Sequence, residues 1–79
     1  AARARRRRGV IRKHSVSLHG HRTSFSLEDE FHAELTRIAR ARDLSLAALI
    51  AEIDDTRDGE INLSSAIRLF VLAEIKAGK

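Results

Sequence analysis

The stretch Arg22-Thr23-Ser24-Phe25-Ser26-Leu27 decides how the chain folds. Successive side chains of a strand point to opposite faces, so this alternation predicts a strand over about residues 21–26 with one apolar and one polar face. The apolar face is expected to pack on a core, which leaves the polar face to contact a partner. The apolar face carries Thr23, Phe25 and Leu27, and the polar face carries Arg22, Ser24 and Ser26.

A helix is predicted directly after this strand, over about residues 28–42. Negative charge at its start suits the positive end of a helix dipole, and Glu28, Asp29 and Glu30 supply that charge. Apolar residues then recur mostly at intervals of three and four, which places them in one stripe of the helix. The stripe consists of Leu27, Phe31, Leu35, Ile38 and Ala39.

A second helix is predicted over about residues 45–57, after the pattern is interrupted at Asp43 and Leu44. Ser45 is a good N-cap for this helix, because its hydroxyl can accept a hydrogen bond from a backbone N–H of the first turn. The apolar face comprises Leu46, Leu49, Ile50 and Ile53.

A third helix is predicted over about residues 63–77, with Asn62 or Ser64 as its N-cap. Besides an inner apolar stripe, this helix is apolar at Leu69 and Leu72, which widens its apolar surface beyond that of an ordinary surface helix. The width indicates either burial against a second subunit or a larger core within one chain.

A second alternating run, Ser15-Val16-Ser17-Leu18, lies before the first strand. Gly20 stands between the two runs, where a turn is needed, so residues 13–18 and 21–26 can form a hairpin. Ser and His are mediocre strand formers, so the alternative is a first run that is extended without a strand partner.

The charge of the chain is unevenly placed. Residues 1–22 hold eight of the fifteen Lys and Arg and none of the eleven Asp and Glu, so the remainder carries −4. This asymmetry is typical of a polyanion-binding arm joined to a folded domain. Because clustered Arg side chains repel one another, residues 1–9 are expected to be a disordered basic arm, and residues 10–79 one domain. The alternative is a tail that only aids solubility.

Composition excludes several classes of protein. The 79 residues include no Cys, so disulfide scaffolds and ordinary zinc fingers are excluded, and a reducing cytoplasm is the compatible setting. No apolar run reaches the roughly 20 residues of a membrane span, and no signal-peptide pattern opens the chain. Without Trp or Tyr, RNA binding through stacked bases is also disfavoured.

Metal binding and catalysis are not expected. The segment from Asp54 to Ser65 resembles a calcium loop, but Ser65 stands where a bidentate Glu is required. No carboxylate or thiolate lies at a matching spacing from the four His residues. No phosphate loop, nucleophile elbow or paired-carboxylate arrangement is found, so neither a cofactor nor an enzyme activity is predicted. The His residues are His14, His19, His21 and His32.

The succession of strand, helix and Ser-capped helix resembles the ribbon-helix-helix DNA-binding domain. Beyond that core, the chain is similar to a bacterial subfamily with an N-terminal extension and a third helix, over roughly residues 12–75. The resemblance rests on Arg22 to Leu27 as the ribbon, the stripe of the first helix, Asp43-Leu44-Ser45-Leu46-Ala47-Ala48-Leu49-Ile50, Arg12-Lys13-His14-Ser15-Val16, Gly20-His21-Arg22-Thr23-Ser24, Ser26-Leu27-Glu28-Asp29 and Asn62-Leu63-Ser64-Ser65-Ala66.

The resemblance implies a mainly α fold with a short β ribbon, an intertwined homodimer, and a place in the cytoplasm at the bacterial nucleoid. Ribbons of two chains would pair antiparallel and enter the major groove of double-stranded DNA. Base reading is expected from Arg22, Ser24 and Ser26, and the dimer core from Phe25, Phe31, Leu35, Ile38, Leu49, Ile50 and Ile53. Phosphate binding is expected from the helix N-terminus at Ser45, Leu46 and Ala47 and from Arg3, Arg5, Arg6, Arg7, Arg8, Arg12 and Lys13.

Two alternatives stay open at this point. The N-terminal extension can displace the ribbon, in which case Lys13, Ser15 and Ser17 face the groove instead. The expected function is that of a sequence-selective DNA-binding protein and transcriptional regulator. The competing function is a protein-interaction module, an antitoxin-like or adaptor dimer whose third helix holds a protein partner and whose basic arm is incidental.

Overall fold

The computed structural model describes residues 9–78, which form a two-stranded antiparallel sheet followed by three helices. This architecture confirms the predicted fold class, a β ribbon and helices with one additional C-terminal helix. Within residues 9–78, none of the helices combines the length and the apolar character needed to cross a membrane. The elements are β1 (Ile11–Leu18), β2 (His21–Glu28), α1 (Asp29–Ala41), α2 (Leu46–Thr56) and α3 (Leu63–Ala77).

β1 and β2 form a hairpin around the two-residue turn His19-Gly20. His19 has φ 51° and Gly20 has φ 82°, the two left-handed conformations that a type I′ turn requires. Gly20 adopts this conformation without the steric penalty of a Cβ atom. The pairing runs from Leu18 opposite His21 to Ile11 opposite Glu28. The first alternating run is therefore a full partner strand and not an unpaired extension.

The hairpin packs one of its faces on the helices. Residues directly opposite each other in two antiparallel strands share a face, so His14 lies beside Phe25 on this inner face, and Val16 beside Thr23. Phe25 and Leu27 are 4% and 0% exposed. The alternation that predicted the strand therefore also assigns its faces, with the polar positions of β2 directed away from the helices.

α1 begins at Asp29, one residue later than predicted. Glu28 remains in β2 opposite Ile11, with extended backbone angles of φ −64° and ψ 148°. The N–H of Asp29 then donates to the carbonyl of Val10 at 2.9 Å. Hydrogen bonds between the strands thus continue to the junction between β2 and α1, so the helix begins only at Asp29.

Side-chain caps fix the starts of the other two helices. Ser45 accepts a hydrogen bond from the N–H of Ala48 at 3.1 Å, as expected of an N-cap. Asn62 accepts one from the N–H of Ser65 at 2.8 Å. Of the two candidate caps for α3, the structure therefore uses Asn62, because the hydroxyl of Ser64 is engaged with β2.

The three helices and the inner face of the hairpin share one hydrophobic core. No polar or charged residue is buried in the described part of the chain. Of the seven residues expected in a dimer core, Phe31 is partly buried, and the other six are buried within a single chain. The six largest fully buried side chains are Leu27, Leu35, Leu49, Ile50, Ile67 and Val71.

β2 has a strand partner within its own chain. It pairs antiparallel with β1, whereas the resemblance implied pairing between the ribbons of two chains. At its other edge, the N–H of Ser26 donates to the hydroxyl of Ser64 in α3 at 2.9 Å. A partner joined by a two-residue turn costs less entropy than one from another molecule. β2 is therefore paired along one edge and contacted by α3 at Ser26 along the other.

Ile50→Ala is expected to lower the free energy of unfolding by about 2–5 kcal/mol, because Ile50 is 1% exposed and its truncation leaves a cavity. Ile11→Ala is the matched control, since Ile11 is 56% exposed, and it should cost less than about 1 kcal/mol. Urea denaturation followed by circular dichroism measures both values. Equal losses in the two variants would contradict the position of Ile50 in the core.

Candidate nucleic-acid interface

The face of the hairpin that points away from the helices is polar. Lys13 lies opposite Ser26, Ser15 opposite Ser24, and Ser17 opposite Arg22. The upstream residues that we considered as an alternative reading face therefore share one surface with the residues of β2. Apart from Ser26, which is half-buried, their side chains are exposed. We call this surface the outer face; it consists of Lys13, Ser15, Ser17, Arg22, Ser24 and Ser26.

The outer face is cationic. Lys13 and Arg22 are charged, and its other four side chains carry hydroxyl groups. Ile11 and Glu28 continue this side of the sheet at its far end, and there the carboxylate of Glu28 is paired with Arg68 at 2.9 Å. Hydroxyls donate and accept hydrogen bonds, and guanidinium and ammonium groups bind anions. This combination suits a polyanion that also presents hydrogen-bonding groups.

α3 contacts the outer face at the end that contains Ser26 and Glu28. The guanidinium of Arg68 donates to Glu28 Oε1 at 2.9 Å and to the carbonyl of Ser26 at 3.5 Å. The pKa of Glu28 is lowered, first by a hydrogen bond from the backbone N–H of Glu28 itself and second by the Arg68 guanidinium. Ser26 is therefore held through its backbone. Neither Ser64 nor Arg68 was among the predicted site residues, since contacts about 40 residues apart leave no local sequence pattern.

The N-terminus of α2 lies beneath the hairpin. Leu46 and Ala47 line a cavity of about 210 Å³ together with Ser15 and Val16 of β1. Their backbone N–H groups are the first two of the helix and have no acceptor within it. The side chain of Ser45 is already used as the cap of the helix, so an anion at this end would be bound chiefly by backbone N–H groups.

The basic residues expected to bind phosphate do not lie on one common surface. Lys13 is on the outer face. Arg12 is on the inner face of β1 and forms an exposed ion pair with Asp29, with Nε and Oδ1 2.9 Å apart. The other five lie outside the described residues: Arg3, Arg5, Arg6, Arg7 and Arg8.

Two imidazole rings lie between the hairpin and the helices. His14 stacks on His32 of α1 with ring centroids 4.3 Å apart, and on Phe25 with centroids 5.3 Å apart. Nε2 of His14 is buried without a hydrogen-bond partner among the described residues. The pKa of His32 is lowered, first by burial and second by the neighbouring His14. Asp29 acts in the opposite direction and raises it. The folded state therefore favours neutral His32.

A cluster that was not predicted joins the tip of the hairpin to α2. His19, Asp54 and Asp55 bring potential metal-ligand atoms within 4.8 Å of one another. Nε2 of His19 lies 2.8 Å from Asp55 Oδ1, and Arg57 donates to Asp54 at 2.7 Å. Each carboxylate thus already has a nitrogen partner, so contacts within the protein explain the cluster without an ion.

A family model described as a ribbon-helix-helix domain matches residues 11–75, from the first residue of β1 into α3. This match confirms the resemblance drawn from the sequence. No curated protein and no solved structure matches the chain. Domains of this family are typically parts of DNA-binding transcription regulators or antitoxins and are generally non-enzymatic.

Acidification from about pH 7.5 to about pH 5.5 is expected to destabilise the fold through His32. The pKa of His32 is lower in the folded state than in the unfolded state. The stability that neutral His32 contributes is therefore complete above the unfolded pKa of about 6.5 and is lost as the pH falls through the folded pKa. His32→Phe retains an aromatic ring beside His14 and should flatten the dependence of Tm on pH. A wild-type slope in His32→Phe would assign the effect to another group.

Proposed function

The chain belongs to the ribbon-helix-helix family, and on that premise we propose that it is a sequence-selective DNA-binding protein and transcriptional regulator. The observation that carries this proposal is the outer face, a two-stranded antiparallel sheet whose six central side chains are two cations and four hydroxyls. The major groove of B-DNA is about 12 Å wide and admits a ribbon of this kind. The outer face lies against the base edges in this arrangement, and the inner face remains on the helices.

Base recognition is assigned to the exposed part of the outer face. Arg22 can donate two hydrogen bonds to O6 and N7 of guanine, which is the most specific contact that this face offers. The hydroxyls of Ser24 and of Ser15 opposite it both donate and accept, so they discriminate weakly between bases. Ser26 contributes less direct reading, because it is half-buried and its backbone is held by α3.

Phosphate binding is assigned to groups around the ribbon. The first N–H groups of α2, at Leu46 and Ala47, suit a phosphate of the strand that borders the groove. Lys13 adds a charge on the outer face, whereas Arg12 must leave Asp29 before it binds a phosphate. The five Arg residues between positions 3 and 8 form a sequence-independent contact in this proposal, since clustered guanidinium groups bind a phosphate backbone without fixed geometry.

The DNA-binding unit in this proposal is a homodimer. The family usually binds DNA as dimers, and two copies read a site of twofold symmetry with twice the contacts of one. Such a regulator acts in the cytoplasm at the nucleoid, and the proposed mechanism involves neither a cofactor nor an enzyme activity.

A protein-interaction module remains the second candidate, and one observation favours it. α3 exposes Leu69, Leu72 and Ile75, which are three of the four large hydrophobic side chains exposed among the described residues. Antitoxins are among the proteins that contain this family of domains. An antitoxin-like or adaptor protein would hold its protein partner on this side of α3.

Arg22→Ala is expected to weaken binding to the preferred duplex by about 1–3 kcal/mol and binding to scrambled DNA much less, because the bidentate contact to guanine exists only on the correct site. The preferred duplex is first selected from a random library, and fluorescence anisotropy then gives both affinities at two salt concentrations.

Arg40→Ala is the matched control for this test. Arg40 is exposed on α1 and its removal changes the net charge by the same amount, so it should reduce both affinities slightly and equally. An equal loss on both duplexes in Arg22→Ala would remove Arg22 from base reading. If the wild-type protein retained no duplex at physiological salt, the DNA-binding function itself would be refuted.

A further inference from the structure

One side of α3 contacts β2 at two successive positions of the strand. The hydroxyl of Ser64 accepts a hydrogen bond from the N–H of Ser26 at 2.9 Å. One turn later in the helix, Nε of Arg68 donates to Glu28 Oε1 at 2.9 Å, and Nη2 of Arg68 donates to the carbonyl of Ser26 at 3.5 Å. We call Ser64 and Arg68 together the α3 clamp.

The spacing of the α3 clamp matches the spacing of the strand. Ser64 and Arg68 are four residues apart, which is about 6 Å along a helix axis and keeps both side chains on one side of the helix. Ser26 and Glu28 are two residues apart, which is about 6.6 Å along a strand. Both contacts therefore form with ordinary helix and strand geometry.

The α3 clamp lies at the edge of β2 that is not paired with β1. In an antiparallel pair, every second residue directs its backbone N–H and carbonyl to the partner strand, and the residues between them direct theirs to the other edge. The N–H of Ser26 bonds to α3, so Ser26 belongs to the second set, and Ser24 and Arg22 follow at steps of two. These are the three residues of β2 on the outer face. β1 therefore does not hold their backbone groups directly, whereas α3 does so at Ser26.

α3 is a rigid support for this contact. Ile67 and Val71 of the helix are 0% exposed and lie in the core. The side chains of Ser64 and Arg68 are half-buried, so water competes less for their hydrogen bonds than at an exposed site. The core thus determines the position of β2 at Ser26, in addition to the hairpin itself.

Arg68 also neutralises a carboxylate beside the outer face. Glu28 follows Ser26 on the same side of the sheet, where an unpaired negative charge would repel a nucleic-acid phosphate. The ion pair with Arg68 removes most of that repulsion. Repulsion of this kind acts on any duplex, so it changes the affinity for all sequences alike and does not select among bases.

We infer that Ser64 and Arg68 are positioning residues for base reading. They fix β2 at Ser26, and this sets the direction in which Ser24 and Arg22 meet the base edges. The inference rests on the proposed function, since it gives a role in recognition to a helix outside the proposed DNA interface. A bidentate contact to guanine requires two donors at fixed distances from O6 and N7, whereas phosphate contacts set orientation and carry no sequence information. A change in the tilt of β2 therefore lowers discrimination between sequences.

Ser64→Ala removes the acceptor of the Ser26 N–H and tests the contact directly. Ser65→Ala is the matched control, because it makes the same change on the adjacent residue, whose backbone N–H is the group bonded to Asn62. Amide exchange followed by nuclear magnetic resonance should show the Ser26 N–H exchanging at least about tenfold faster in Ser64→Ala and at the wild-type rate in Ser65→Ala. The N–H of Leu27, which belongs to the set directed to β1, should keep its rate in both variants.

The consequence for reading is measured by fluorescence anisotropy on the preferred and scrambled duplexes. The ratio of the two affinities should fall roughly three- to tenfold in Ser64→Ala, which is part of the about 5- to 150-fold discrimination that a bidentate contact supplies. Ser65→Ala should keep the wild-type ratio. Circular dichroism at the assay temperature shows whether each variant is folded.

Arg68→Met gives the second measurement, because it retains a long side chain and removes the guanidinium. It should lower the affinity ratio as Ser64→Ala does. Arg37→Met is the matched control, since it also breaks an ion pair between Arg and Glu, with Arg37 and Glu34 2.7 Å apart on α1. A change of charge alone would lower both affinities by the same factor and leave their ratio unchanged.

An unchanged affinity ratio in Ser64→Ala would overturn the inference, even if that variant were less stable, and so would an unchanged exchange rate of the Ser26 N–H. If Ser64→Ala does not fold, the ratio in Arg68→Met decides in the same way. Failure of the proposed function gives a different result, because a wild-type protein that binds no duplex refutes DNA binding and the role in reading together. A wild type that discriminates between duplexes, with variants that discriminate equally well, refutes only the positioning role.

Discussion

The antiparallel pairing of β1 with β2 in a single register is the constraint on which the rest of this structure depends. Side chains alternate along a strand, so a slip of one residue would send Phe25 and Leu27 into water and bring Arg22 towards the core. The turn at His19-Gly20 sets the register at one end, and the bond from Ser26 to Ser64 holds the hairpin on α3. The core and the polar outer face therefore follow from the same pairing.

Much of the fold could be predicted from local patterns, because they repeat within a few residues. The alternation in residues 22–27 predicted β2 and its faces, and Ser45 marked the start of α2. The choice between a hairpin and an unpaired extension could not be made, since Ser and His carry weak strand preference. Contacts such as Arg68 with Glu28 join residues 40 positions apart, and no periodicity encodes them. For the same reason, the apolar pattern of α3 predicted a wide apolar surface. It could not show whether the same chain or another molecule covers that surface.

Two surfaces of this small domain differ in character. The outer face of the hairpin is polar and cationic and contacts DNA in the proposal, while the exposed side of α3 is apolar at Leu69, Leu72 and Ile75. Between them lies the core, with the stacked rings of His14 and His32 directly under the hairpin. Because α3 holds β2 through Ser64 and Arg68, α3 and the hairpin are parts of one packed unit. A displacement of α3 is therefore expected to disturb the ribbon as well.

The central claim is that both strands of the ribbon come from the same chain. The most direct test is an isotope-filtered nuclear Overhauser experiment on a mixture of labelled and unlabelled protein, co-refolded so that dimers contain one chain of each kind. Ser15 and Ser24 lie directly opposite each other, so their α-protons are close enough for a strong cross-peak. The structure predicts that this cross-peak arises within one chain and is absent from the filtered spectrum. Its appearance between a labelled and an unlabelled chain would show that the ribbon is shared by two molecules and would contradict the account.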